Sequence, residues 1–421
     1  MEKPAEERTG WDWSLGTRHV ADLDCRSRNF EWREEYQVSP DGERIGAVIK
    51  LEDSSTICVN EEFWELRAEN IRQVRFTPQG ALCALVMQDD EWTLAIDQEL
   101  WPSTYAFLWQ PLFSHASNSI AAAVQNDLEY GMVQDGRIWP NLYENANHFT
   151  FSPGGNATAA VVQTVSFGQA DIQTYQKGCF SVARNGIVWD QNFVNVWTPV
   201  FNSEGTRVAA QVRPTIHTYS IAVDGQIWPA TYSCVWEPCF HPKNGSVLAP
   251  VRVGKKWGLA GNGELVWEPR FLQLWQVTPA GGRLYAVVAT RFGHWTVAVD
   301  DQPWKNDKAE ALSDLTISPD GSHAAARAMC ERRWTMFVDG VFWNKDFKRI
   351  WNPVFSPDSA HVAAKVDLEN AFTLALDGRL YKETYDQIWD PVFDPQGEKI
   401  LVRGIKGNNY LRTIASLDDF S

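Results

Sequence analysis

The chain has 421 residues, 44% hydrophobic and 22% charged, with 21 Trp, 21 Phe and 11 Tyr. That is ample apolar material for a large core and excludes a disordered chain. Its 38 Lys and Arg stand against 53 Asp and Glu, a net charge of −15 that argues against nucleic-acid binding, and no apolar run reaches the ~18 residues of a membrane span.

The N-terminal stretch from Met1 to Trp13 has neither an apolar core nor a small-residue cleavage site. No secretory leader is therefore expected, and the expected location is the cytoplasm. Residues 1–28 read as a polar tail. Within it Trp11 and Trp13 have two open readings: exposed anchors for a partner, or rings folded back onto the body of the protein. Asn29-Phe30-Glu31-Trp32 then reads as a short strand.

From Ser39 onward one turn box recurs along the chain. It begins as Ser39-Pro40-Asp41-Gly42 and returns as Thr77-Pro78-Gln79-Gly80, Ser152-Pro153-Gly154-Gly155, Ser318-Pro319-Asp320-Gly321 and Asp394-Pro395-Gln396-Gly397. Ten copies start at 39, 77, 114, 152, 202, 241, 278, 318, 356 and 394, a period near 38 with one interval of 50. Pro presets φ and Gly supplies positive φ, which is tight-turn chemistry. Before each box lies an extended piece such as Ile350–Phe355, and after it a small apolar strand such as Val362-Ala363-Ala364-Lys365-Val366. A variable loop follows. Then an aromatic opens a third strand and precedes an Asp or Asn by five residues, as in Trp92/Asp97, Phe180/Asn185 and Trp334/Asp339. A short fourth strand carries a Trp, among them Trp64, Trp139, Trp228 and Trp343.

Four short antiparallel strands in each period near 40 predict an all-β chain, a β-propeller of about ten four-stranded blades. The tenth copy lacks a fourth strand, and the segment at residues 29–32 is expected to supply it. One closed ring over 29–421 follows, with two five-bladed rings as the alternative. The periodic Trp read as packing between blades. The long interval places an insertion at residues 164–178, either a partner-contact flap or a neutral insertion.

No nucleophile elbow, metalloprotease helix or phosphate loop is present. The eight His are scattered without ligand spacing, and Cys234 and Cys239 read as small buried side chains. No enzyme, metal or cofactor is expected. A non-local site in the channel, where inner strands converge, stays open.

The loops between second and third strands vary freely and share one face, where recognition is expected. Those of the first three copies are acidic (Glu52, Asp53, Asp89, Asp90, Glu91, Asp127 and Glu129). Those of the sixth to eighth are basic: Lys255, Lys256, Arg291, Arg332 and Arg333. In a ten-membered ring the two sectors sit opposite each other, which predicts a polarised docking face. The candidate docking residues are these five cations together with Trp11 and Trp13.

The boxes at 39–42 and 318–321 resemble the repeats of TolB-like propellers. As a whole the chain is similar to the TmcD family, the tryptophan-rich subunits of the Tmc transmembrane redox complex of sulfate-reducing bacteria. The similarity rests on the Trp-bearing repeats, acidity and size. It implies a non-catalytic cytoplasmic scaffold subunit of a membrane-bound electron-transfer complex. The implied partners are an iron–sulfur subunit and a membrane cytochrome b subunit, with membrane association through those partners alone. The alternatives are a general scaffold propeller of another assembly and, behind it, a hydrolase or lyase with its site in the channel.

Overall fold

The computed structural model describes residues 8–24, 32–168 and 171–421. Apart from one pairing between the two ends of the chain, strands pair with those close by in sequence, and the result is ten antiparallel sheets, each one blade of a single ten-bladed β-propeller. In the third blade the strands are Phe107–Phe113, Ile120–Asn126, Glu129–Gln134 and Arg137–Ile138, in sequence order from the channel outward.

The second strands show why blades stack. They are runs of small apolar residues, such as Ala121, Ala122, Ala123 and Val124, buried on both faces. A strand of this kind needs a cover above and below, and only a neighbouring sheet on each side supplies it. The core is therefore divided into layers between blades. In one layer Ala121, Ala123, Met132 and Trp139 of the third blade meet Phe149, Val162 and Ala183 of the fourth. Most Trp fall in such layers, as their spacing predicts.

The ring is closed by an N-terminal strand, but not by the segment expected. Gly16–Asp22 pairs antiparallel with Asn409–Ser416, from Gly16 opposite Ile414 to Asp22 opposite Asn409. The proposed closing segment lies elsewhere: residues 29–31 are outside the described residues, and Trp32–Arg33 pairs with Ile49 and Lys50 as the innermost strand of the first blade. Residues 16–22, assigned to the tail, thus belong to the ring. The physical reason is length. The last third strand offers eight residues of open edge, which a seven-residue strand covers and a two-residue, Trp-bearing outer strand would not. Buried contacts then lock the tenth blade to the first. Tyr410 donates its hydroxyl proton to the Gly42 carbonyl (3.1 Å), and Arg412 donates from Nε to that of Asp41 (2.9 Å).

The repeated Asp or Asn has a definite duty. It sits at positive φ in the turn between third and fourth strands, for example Asp135 at 48°, Asn185 at 50° and Asp339 at 47°. Its side chain accepts the first N–H of the second strand: Ile120 to Asp135 (2.9 Å), Thr158 to Asn185 (2.8 Å), Ala324 to Asp339 (2.9 Å). Asp and Asn tolerate this left-handed backbone and carry the acceptor, so one residue type does both jobs. The following Gly packs on the previous blade's Trp. A Cβ on Gly186 would stand 2.9 Å from the Cβ of Trp139.

One box differs from the reading above. In the seventh blade Thr278 and Pro279 pair with Tyr285 and Leu284 inside a hairpin, and the turn is Gly281-Gly282 alone. Gly281 abuts Gly321 of the next box so closely that a Cβ would meet its carbonyl oxygen at 2.6 Å. The insertion carries a short helix, Ile172–Lys177, capped by Asp171, whose carboxylate accepts from the Thr174 N–H (3.0 Å). Among the described residues no helix is long and apolar enough to cross a membrane.

Two outcomes follow. Asn185→Ala strands the Thr158 N–H and places Ala at positive φ, so it should destabilise by about 2 kcal/mol in chemical denaturation, whereas Asn185→Asp should cost under about 0.5 kcal/mol. Deleting residues 1–23 opens the ring's edge; a loss of at least about 4 kcal/mol, with self-association in size-exclusion chromatography, is expected. A monomeric deletion variant with unchanged melting would refute the closure.

Candidate interaction surfaces

On the loop face the second and third strands join through tight turns. The basic residues lie in or beside three consecutive turns, between Val247–Val253 and Lys256–Gly261, Arg283–Arg291 and His294–Val299, and Ala324–Cys330 and Arg333–Val338. Lys255, Arg291 and Arg332 are exposed; Lys256 and Arg333 are half-buried.

Their partners differ. Arg291 donates to Asp307 (3.3 Å), a bond that holds the Asp307 carboxyl below the usual range. Arg333 donates to Asp346 (2.9 Å) and Glu369 (3.0 Å). These two cations are therefore matched within the chain. Lys255, Lys256 and Arg332 have no ion-pair partner among the described residues.

Between them stands a feature that the reading by charge alone missed. Phe292, at the tip of the seventh blade's turn, is 95% exposed, and Val253 beside the sixth turn is also exposed. A fully exposed Phe between cationic turns has no structural duty in the blade, and apolar side chains at such tips are common interface anchors. The signal was in the sequence: Arg291-Phe292-Gly293 puts a Phe in a two-residue turn where the two-residue turns of the second, third, fifth, sixth and eighth copies carry no Phe, Tyr or Trp. The acidic residues of the first three blades are exposed in the matching turns, with Leu128 81% exposed among them.

Trp11 and Trp13 do not join the basic sector. They stack on each other with centroids 6.0 Å apart and pack against Val392, Leu401 and Ile414 of the tenth blade. The Trp13 indole donates to the Arg8 carbonyl (3.0 Å), and Lys399 donates to that of Trp13 (3.0 Å). Both rings are half-buried, so the folded-back geometry is the one present.

The channel is the second candidate surface. The middle of each first strand carries a polar residue: Gln73, Gln110, His148, Thr198, Glu237 and Gln276 in blades two to seven. Where the strand is continuous this residue forms a bulge at positive φ, as in Gln73 at 52° and Gln276 at 48°. Where Trp-x-Pro stands, as at Trp236-Glu237-Pro238, the strand breaks into two short pieces. Bonds run between neighbours: the Gln110 N–H donates to Gln73 Oε1 (2.9 Å), and Thr198 Oγ1 lies 2.9 Å from His148 Nδ1.

Two cavities are lined by residues of the inner strands, and the second of them reaches the girdle. One, of 430 Å³, lies beside blades one to three and ten, where Arg8 and Trp11 form part of its wall. The other, of 630 Å³, is lined by Trp197, Trp236, Glu237, Trp275 and Gln276 of blades five to seven. Cys234 and Cys239 are half-buried free thiols, and burial pushes that of Cys239 up to about 12. Among the described residues no group of three or more His, Cys, Asp or Glu is placed to hold a metal ion.

No family model and no curated protein matches the chain. Among solved structures it is similar to a crystal structure of the eukaryotic initiation factor, at 11% identity and TM-score 0.45 over 88% of this chain and 98% of that one. It is also similar to the crystal structure of TolB from Acinetobacter baumannii, at 16% identity and TM-score 0.26 over 53% of this chain and 62% of that one. Neither likeness is close enough to bear on what this chain does.

Proposed function

We propose that the chain is a non-catalytic interaction subunit that docks a partner protein on the loop face of blades six to eight. The observation that carries this reading is Phe292, 95% exposed among cationic turns in which Lys255, Lys256 and Arg332 have no ion-pair partner among the described residues. An apolar anchor ringed by unmatched cations is complementary to a partner with an apolar pocket and an acidic rim. The acidic sector opposite repels the same partner, so the two sectors together fix the docking register.

We further propose that the assembly is a membrane-bound electron-transfer complex, in which an iron–sulfur subunit and a membrane cytochrome b subunit are the partners. The support is the similarity to TmcD-type subunits in acidity, size and Trp-bearing repeats. In that setting this chain would organise the cytoplasmic side, and the redox centres would belong to its partners.

Tagging the chain in its native host, solubilising membranes gently and recording the absorption of the eluate tests the assembly. Haem and iron–sulfur absorbance with co-purifying membrane subunits is expected; a colourless eluate with unrelated soluble partners contradicts it. For the docking face, Phe292→Ser combined with Lys255→Glu and Arg332→Glu is expected to weaken partner binding at least about tenfold and to flatten its salt dependence, measured by surface plasmon resonance. Unchanged affinity and salt slope would refute the docking site.

A further inference from the structure

We infer that the channel cavity of blades five to seven binds a small organic cation, an alkylated ammonium that also carries a hydrogen-bonding group. The inference is independent of the docking face, which lies on the loop side of the ring.

Its first support is an unmatched charge. Glu237 is the one charged residue lining the 630 Å³ cavity, and among the described residues no cation or hydrogen-bond donor meets its carboxylate. The channel carboxylate of the eighth blade is treated differently: Asp314 accepts from Arg327 Nε at 2.6 Å. At the position of Glu237 the two neighbouring blades carry the neutral Thr198 and Gln276. The Glu237 side chain is exposed to the open space, and the partial desolvation it suffers there raises its carboxyl above the usual range. The Cys239 thiol, pushed up to about 12 by burial first and by Glu237 second, stays uncharged beside it.

The walls favour a cation over water. Trp236 lies parallel on Trp257, with centroids 5.2 Å apart and planes at 5°, and Trp275 stacks on Trp295 at 4.4 Å. Stacking holds these indoles still, while Trp236 remains 39% exposed toward the open space. Immobilised indole faces next to a carboxylate attract an alkylated ammonium through the ring quadrupole and direct charge pairing, with little ordering left to do on binding.

A third observation gives the ligand its second group. Gln211, only 7% exposed, also lines the cavity. Its carbonyl accepts from the Trp197 N–H (3.0 Å), but its side-chain amide makes no hydrogen bond among the described residues. That amide is open to the cavity rather than sealed off, so a bound molecule can satisfy it in place of water. A hydroxyl or carbonyl on the bound cation would do so. The volume lies in the range of small-molecule sites.

Calorimetry on the full chain tests this with choline and its neutral isostere 3,3-dimethylbutan-1-ol. Choline is expected to bind at least tenfold more tightly than the isostere. Glu237→Gln, a change of equal size in the channel wall, is expected to remove that preference and leave the melting temperature unchanged. Trp236→Leu, which removes one indole face, should weaken choline about tenfold and serves where Glu237→Gln does not fold. Equal affinity for the two compounds, no choline binding, or an undiminished preference in folded Glu237→Gln would each overturn the inference.

Discussion

Burial of both faces of every second and third strand is the constraint on which this molecule depends. A sheet with two apolar faces cannot stand alone in water, so each blade needs a neighbour on both sides, and a row of such blades needs to close. The small side chains of the second strands, Ala122, Ala160 and Ala326 among them, let successive sheets approach closely. Closure then rests on distant parts of the chain, Gly16–Asp22 pairing with Asn409–Ser416 and Tyr410 and Arg412 bonding to the first blade's turn box. Large inter-blade layers and a chain-end clasp make a rigid ring, and the rigidity fixes where turn tips and channel side chains stand.

The periodic residues serve that ring. Asp or Asn at the third turn ties the start of the second strand, the Gly after it clears room for the preceding blade's Trp, and that Trp fills the layer between blades. Departures from the period are therefore the informative positions. Phe292 and the unmatched Lys255, Lys256 and Arg332 contribute nothing to the layers, and neither does Glu237 in the channel wall.

Much of the fold was legible because turn chemistry and blade packing are local and repeat. Ser39-Pro40-Asp41-Gly42 and its copies announce a hairpin wherever they occur, and ten of them announce ten blades. The closing strand was not legible, because Gly16–Asp22 carries no Trp and its pairing spans almost the whole chain. The seventh turn was misplaced because Thr278-Pro279 imitates the box while the glycines that make the turn lie two residues later. Charge marked the basic sector, but which cations are matched depends on Asp307, Asp346 and Glu369, which come from loops adjacent only in space. The channel cavity was legible only as a possibility. Its wall joins residues nearly 40 apart in the chain, such as Trp197, Trp236 and Trp275, and bulges and Trp-x-Pro breaks set their directions.

The resulting account is of a rigid ring with an adhesive arc on one face, its loop-face charge sorted into two opposed sectors. Its central claim is that partners engage that face rather than the turn boxes on the other side. Lysine cross-linking with mass spectrometry on the tagged chain and whatever co-purifies with it from the native host addresses this directly, because both faces carry lysines. The account predicts inter-subunit cross-links at Lys255 and Lys256, in the sixth blade's loop, and few at Lys243, in the same blade's turn box. Cross-links concentrated at Lys243, with Lys255 and Lys256 unmodified by partners, would contradict it.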